Sequence, residues 1–312
     1  KMIEIKNLTK KFRDKIAVDN LSLIVRPGVV TGFLGPNGAG KSTTLKMIIG
    51  LINPTQGEVK IDGKNYKDLI RPISKIGALI DGDAVNPKFT AKQHLELIAT
   101  ASGISIGRVE EMLKMVGLEK VKNKQIGEFS LGMKQRLGIA TALLGDPKTV
   151  ILDEPFNGLD VDGIHWLRGL TKELAEQGKA VLVSSHLMSE IQAIAERIVV
   201  LAQGKLIADM TMEEMTNKSL STYMKVNSEN NRKFKSLLEK EGALIQSMND
   251  EELHVHKLDM KQIGIIARNN NLAIYELTKI QPSLEELFIE LTEGKADYVS
   301  NVESKERKGD RQ

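Results

Sequence analysis

The sequence contains no cysteine. That excludes a disulfide framework, a thiolate metal site and a cysteine nucleophile, and it fits a reducing compartment. It also lacks any apolar run near the ~18 residues needed to cross a membrane as a helix. The first residues, Lys1-Met-Ile-Glu-Ile-Lys6, have no long apolar centre and do not read as a signal peptide. Charge of one sign is not in excess: the net charge is +3, too small for the concentrated basic face that nucleic-acid binding calls for. No internal repeat is visible. What remains is a chain of 312 residues, 41% apolar and 27% charged, the composition of a globular protein of about two domains. Any membrane process it serves is expected to run from the cytoplasmic side with a partner.

The most informative stretch is Gly35-Pro36-Asn37-Gly38-Ala39-Gly40-Lys41-Ser42-Thr43, which fits G-x-x-x-x-G-K-[ST]. Residues 29–34 lead into it as an apolar run with a β-branched bias. Residues 43–49 leave it as a helix, with Gly50 placed to end that helix. A strand, a glycine loop and a helix in this order make a phosphate loop. Gly35, Gly38 and Gly40 are expected to take positive φ and let the backbone approach an anion. Free N–H groups at the helix start would hold phosphate oxygens. Lys41 would reach the β- and γ-phosphates, and the Ser42 hydroxyl would ligate Mg²⁺.

Elsewhere, residues 2–6 and 21–26 alternate as half-buried strands do. Further strands are expected at 58–62, 76–80, 149–152, 180–183 and 198–201. Thr90 and Gln93 have capping-box spacing. Residues 84–147 read as mainly helical, with Val109, Leu113 and Val116 on one stripe. Ile164, Leu167, Leu170 and Leu174 form another stripe, closed by Gly178. Strands alternating with helices imply a parallel α/β core with a helical insertion. The composition changes after about residue 212. Strands at 222–226, 243–248, 253–257 and 272–278, with helices at 229–241 and 259–270, give the order βαββαβ of a ferredoxin-like sandwich. A last helix is expected over 282–293, and residues 295–312 read as a disordered tail. The domains expected are therefore 1–212 and 220–294.

Residues 149–154 end a buried strand in two carboxylates. Asp153 suits Mg²⁺, directly or through water, and Glu154 suits polarising an attacking water. Ser130 stands before a Leu- and Ala-rich helix, where it reads as an N-cap or as the start of a phosphate-binding helix end. His186 follows Ser184-Ser185 at another strand end, where it reads as a structural histidine or as a γ-phosphate contact. Asp160 is available to cap the next helix. His254 and His256 share one strand face, but two histidines without a third ligand read as a polar sheet face rather than a metal site.

In this order, the phosphate loop, Ser130-Leu-Gly-Met133, Leu152-Asp-Glu-Pro155, Asn157-Gly-Leu-Asp160 and Ser184-Ser-His186 resemble the ATP-binding subunit of ABC transporters. The likeness runs from residue 2 to about 211. Within that family the chain resembles the bacitracin and lantibiotic immunity branch, whose members carry a C-terminal extension ending like Pro282-Ser-Leu-Glu-Glu-Leu-Phe-Ile-Glu-Leu291. The resemblance implies a P-loop (RecA-like) α/β core with an antiparallel β subdomain and a helical subdomain, and a small α+β domain after it. It implies an ATPase using ATP and Mg²⁺ that pairs as a homodimer and docks on integral membrane permease subunits at the cytoplasmic face.

Roles follow by position. Phe12 takes the place of the aromatic that stacks on adenine, and Val18 that of the apolar residue beside the base. Glu154 is the general base and His186 the γ-phosphate switch. Ser130 and Gly132 would act on ATP held by the opposite subunit, with Asp160 in the loop that crosses the interface. Two departures stand out. Leu131 and Met133 replace the usual glycine and glutamine of the signature, and Asp81 stands where a glutamine or glutamate is usual. Asp81 is expected near the nucleotide and Mg²⁺, through a water because of its shorter reach. Residues 81–89 are expected to face the membrane partner.

A soluble ABC-type ATPase working on nucleic acid or ribosomes is the competing reading. It usually brings tandem ATPase halves, a long coiled coil or a zinc module, and none is present. A regulatory module led by the C-terminal domain is a third.

Overall fold

The computed structural model describes residues 3–82, 84–217, 222–249, 252–280 and 284–292. They fall into two compact units, one up to Met212 with residues 290–292, the other from Glu213 to Ile289. The tail expected at 295–312 lies outside the described residues.

The first unit opens with a hairpin, β1 (Ile3–Phe12) and β2 (Lys15–Val25). It reaches further than the alternation at 2–6 and 21–26 suggested, turning at Arg13 in the left-handed region. Strand β3 (Val29–Leu34) then feeds the phosphate loop and helix α1 (Lys41–Ile48). Gly50 ends α1 as expected: it has φ 70, its N–H donates to Met47 O and that of Leu51 to Lys46 O, the paired bonds of a Schellman motif. Strand β4 (Gln56–Ile61) joins the hairpin in an antiparallel sheet of order β2-β1-β4.

Strand β5 (Ile76–Leu79) is followed by the helical segment: α2 (Ala91–Ser102), α3 (Gly107–Met115) and α4 (Leu131–Leu143). Thr90 and Gln93 form the complete capping box at the start of α2. Then come β6 (Thr149–Asp153), α5 (Val161–Glu176), β7 (Ala180–Ser185), α6 (Met188–Gln192), β8 (Arg197–Ala202) and β9 (Lys205–Thr211). The second sheet has the order β5-β6-β7-β3-β8-β9. Its first five strands are parallel and β9 runs antiparallel to β8. Strands β6 and β7 are buried along their whole length, as expected for strands covered on both faces. Strand β9 was not anticipated.

One core joins the two sheets: Ile3, Ile5, Leu23 and Ile61 of the antiparallel sheet meet Phe33, Ile151 and Leu182 of the parallel one around Leu45 of α1. Each such side chain contributes roughly 1.5–3 kcal/mol on burial, so the phosphate loop is anchored on both sides. Helix α4 lies at backbone contact on β5. A Cβ at Gly77 would overlap the Ala142 carbonyl. At Gly138 it would come 2.5 Å from Leu79.

Helix α7 (Met212–Asn217) leads on to β10 (Tyr223–Ser228), α8 (Asn231–Lys240), β11 (Leu244–Asn249), β12 (Glu252–His256), α9 (Met260–Asn269), β13 (Ile274–Ile280) and α10 (Leu284–Thr292). The four strands of the second unit form an antiparallel sheet of order β11-β12-β10-β13. Phe234, Leu238 and Ile263 of its helices pack on Val226, Leu253 and Val255. Element order and sheet order are those of a ferredoxin-like sandwich, with boundaries one or two residues from those expected. Of the last helix expected at 282–293, residues 282, 283 and 293 lie outside the described residues.

Candidate nucleotide site

Strands β6, β7 and β3 are neighbours, so their carboxyl ends bring Asp153–Glu154, Ser184–His186 and the phosphate loop to one edge of the sheet. In open α/β sheets, that edge is where ligands bind. The loop is shaped by two glycine conformations, not three. Gly38 and Gly40 have φ 85 and 100. Gly35 does not have positive φ; it is needed for close approach, since a Cβ there would lie 2.5 Å from Leu201 O and 2.9 Å from Ala39. At Gly40 a Cβ would overlap the Ala17 carbonyl. Helix α1 begins at Lys41 rather than Thr43.

The buried Lys41 ammonium donates to Gly35 O at 2.6 Å and to Pro36 O at 3.4 Å. It also lies 3.6 Å from Glu154 Oε1. Burial lowers its pKa, against the pull of Glu154 and Asp153. Asp153 ends β6 buried. Its carboxylate accepts from Ser184 Oγ at 2.5 Å. Burial raises its pKa, opposed by the hydrogen bonds from Ser184 and Ser42. A buried carboxylate beside the Ser42 hydroxyl fits a divalent cation, which would relieve that desolvation. Among the described residues no cluster of three His, Asp or Glu side chains could hold a metal by itself, so an ion here would also need phosphate oxygens.

Glu154 takes φ 47, uncommon for a residue with a side chain. Its N–H donates to Ser184 Oγ at 2.9 Å and its carbonyl accepts from Gln135 Nε2 at 2.9 Å. The carboxylate bridges Lys41 and His186, whose Nδ1 lies 2.9 Å from Oε2. Lys41, Ser42, Glu154 and His186 face a cavity of about 490 Å³, lined also by Phe12, Lys15, Ala17, Asn37, Gly38, Gly40, Thr43 and Asn157. Phe12 is half-exposed at the hairpin tip. Lys10 Nζ sits 4.9 Å from its ring centroid and donates to Asn53 O.

Nine of the expected residues thus line one cavity. Gly35, Pro36 and Ala39 form the loop behind it. Val18 does not line it: its side chain is in the core, because β2 alternates and turns Ala17 to the cavity instead. Asp81 does not line it either. It is exposed beyond β5, at the sheet edge, with β6 and β7 between it and β3. Sequence reasoning missed Lys15, Ala17 and Asn157. The first two sit on the hairpin arm that the charged residues concealed.

Ser130, Gly132 and Asp160 do not line their own chain's cavity; the start of α4 abuts the loop that leads to Asp160. Ser130 caps α4, accepting from the Met133 N–H at 3.2 Å. Asp160 caps α5, accepting from the Gly163 N–H at 2.8 Å. A Cβ on Gly132 would lie 2.6 Å from Gly158 O, and one on Gly158 would lie 2.5 Å from the Leu131 side chain. In the second unit, Tyr223 stacks on His254 with ring centroids 4.1 Å apart, and His254 Nε2 lies 2.6 Å from Glu252.

Known proteins resemble this chain in sequence and in fold. The ABC transporter family model matches residues 18–157, and a domain of unknown function matches 222–285. The uncharacterized ABC transporter ATP-binding protein YhcH of Bacillus subtilis is 36% identical over 93% of this chain and 96% of its own. The bacitracin transport ATP-binding protein BcrA of Bacillus licheniformis is 34% identical over 94% of this chain and 98% of its own. The lantibiotic transport ATP-binding protein SrtF of Streptococcus pyogenes is 35% identical over 70% of this chain and 97% of its own. Among solved structures, the dimeric post-hydrolysis cassette MJ0796 bound to ADP and Pi superposes with TM-score 0.62 at 31% identity, covering 67% of this chain and 98% of that one. The chain belongs to the ABC transporter family, as an ATP-binding subunit with ATPase activity.

Proposed function

We propose that this chain powers export of an antimicrobial peptide of the bacitracin or lantibiotic kind, working as a homodimer on integral membrane permease subunits at the cytoplasmic face. The observation that carries the catalytic part is the Glu154 carboxylate set between Lys41 and His186 at the mouth of the phosphate loop. The cargo reading is supported by likeness to BcrA and SrtF along the chain.

Phe12 stacks on the nucleotide base, and Val18 backs the wall formed by Ala17. Backbone N–H groups of residues 37–43 and the Lys41 ammonium hold the phosphates. The arriving phosphate draws Lys41 away from Glu154, whose freed carboxylate accepts a proton from the attacking water. His186 orients that carboxylate through Nδ1 and offers its other nitrogen to the γ-phosphate. Ser42 and Asp153 would hold Mg²⁺, which supplies charge neutralisation at the phosphate oxygens. Ser130 and Gly132 close over the nucleotide of the partner subunit, with Asp160 in the crossing loop. Asp81, outside the cavity, belongs with the segment that meets the permease, and nucleic acid has no part in the cycle. ATP favours the closed pair because only that pair contacts it from both sides.

The test is genetic and biochemical together. Deleting the chain should sensitise its cell to bacitracin or a lantibiotic. Restoring it should reverse this, and restoring Lys41→Ala should not. Unchanged sensitivity to every such peptide would sink the cargo reading while leaving the ATPase untouched.

A further inference from the structure

We infer that Gln135 is a positioning residue for Glu154, joining the helix that Ser130 begins to the peptide that aims the water-activating carboxylate. The inference rests on the proposed role of Glu154 as base.

Gln135 lies between Lys134 and Arg136 on α4, yet its side chain is buried, 6% exposed. A buried side-chain amide keeps its place only when its polar atoms find partners. Its Nε2 donates to the Glu154 carbonyl at 2.9 Å. Its Oε1 lies over Gly82, 2.5 Å from where a Cβ would stand. Gln135 therefore fills the gap between the segment after β5 and the end of β6, and makes its directed bond to β6.

That bond falls on an unusual peptide. With φ 47, Glu154 occupies a region that is costly for a residue with a side chain and persists where the surroundings hold it. Two grips hold it here. Ser184 Oγ takes the N–H, and Gln135 Nε2 takes the C=O. Releasing the second lets the peptide relax toward ordinary φ, which swings the carboxylate away from both Lys41 and His186. A helix is stiff over five residues, so a displacement of Ser130 at its start reaches Gln135 without a joint between. Closure of the signature segment on one nucleotide thereby bears on the base that serves the other.

The test uses the full chain with MgATP. Gln135→Met keeps the volume but cannot donate. It should lower kcat by about ten- to a hundredfold, with nucleotide binding no weaker than the parent's, because Lys41 is released at the same time, and with the melting temperature nearly unchanged. Gln135→Glu cannot donate when ionised but can when protonated. Its kcat relative to the parent should climb as pH falls from about 8 to about 5, while the Met variant's ratio stays flat. A Met variant with parental kcat overturns the inference. So does a fall of kcat, affinity and melting temperature together, or a pH-independent ratio for the Glu variant. Glu154→Gln in the same assay separates the two readings. If it turns over normally, the base assignment itself is wrong. If it is inactive while Gln135→Met is fully active, this inference alone fails.

Discussion

Glu154→Gln is the most discriminating single change, because binding and turnover should move in opposite directions. Gln keeps the shape and the hydrogen-bonding reach of Glu but removes the charge and the proton-accepting power. Loss of a general base costs about 10²–10⁴ in kcat. The effect on affinity follows from Lys41. The carboxylate lies 3.6 Å from the ammonium, and a phosphate must displace it while also meeting its repulsion. Two unit charges ~4 Å apart interact by ~1 kcal/mol in bulk water and ~4 kcal/mol at an effective dielectric of ~20. The Glu154 side chain is 21% exposed, so water screens it and the lower part of that range applies. Neutralising it should tighten ATP binding by about 1–2 kcal/mol, roughly five- to thirtyfold. Phosphate release gives kcat, titration calorimetry gives Kd, and sedimentation with MgATP tells whether the slow variant accumulates as a dimer. Turnover within tenfold of the parent would refute the base assignment. Weaker binding would refute the competition between carboxylate and phosphate for Lys41, and a monomer at saturating ATP would contradict the trans contact.

Two further outcomes concern the frame around the site. His94 of α2 lies 3.2 Å from Thr141 Oγ1 of α4, and burial lowers its pKa from the ordinary 6.5. As pH falls below that value the unfolded chain takes up the proton before the folded one, so stability is intact above about pH 6.5 and is lost between it and the lower folded value. The melting temperature should drop over that window in the parent and less so in His94→Gln; equal slopes would show that another group is responsible. Gly77→Ala and Gly169→Ala form a contrasting pair. The first drives a methyl into the Ala142 carbonyl, whereas nothing lies within 4 Å of the second on α5. Denaturant melts should show Gly77→Ala destabilised by about 1–3 kcal/mol and Gly169→Ala stabilised by about 0.5–1 kcal/mol. Similar values for both would mean that α4 does not rest on β5 as closely as described.

The parts of the site that could be read from the sequence are those whose chemistry is local. Lys41 and Ser42 are fixed by the loop that contains them. Asp153, Glu154 and His186 each end a strand too apolar to be anything but buried, so their place on the sheet edge followed from alternation of elements alone. What failed depends on which face of a strand points where. Val18 and Ala17 are adjacent, and only the register of β2 against β1 decides which meets the cavity. That register passes through irregularities near Leu8, Lys10 and Lys11, which no periodicity reveals. Strand β9 did leave a signal, with Leu206, Ala208 and Met210 alternating after the Gln203-Gly204 turn, but its short, half-polar run resembles a loop. Asp81 was placed by position in the chain, whereas its reach is set by the edge location of β5. Gln135 gives almost no sign: between Lys134 and Arg136 it reads as part of a polar, solvent-facing turn of the helix, and only the fold shows that it is buried.

The close seating of Gly132 against Gly158 has a consequence for how such a chain can vary over generations. Gly132 has no room for even a methyl group while the Gly158 carbonyl stays put, and Gly158 has none while the Leu131 side chain beside Gly132 does. A change at one is tolerated only after its neighbour has withdrawn, and withdrawal drags along the segment bearing Asp160. These two short stretches, about two dozen positions apart in the chain, are thus obliged to be inherited as one unit.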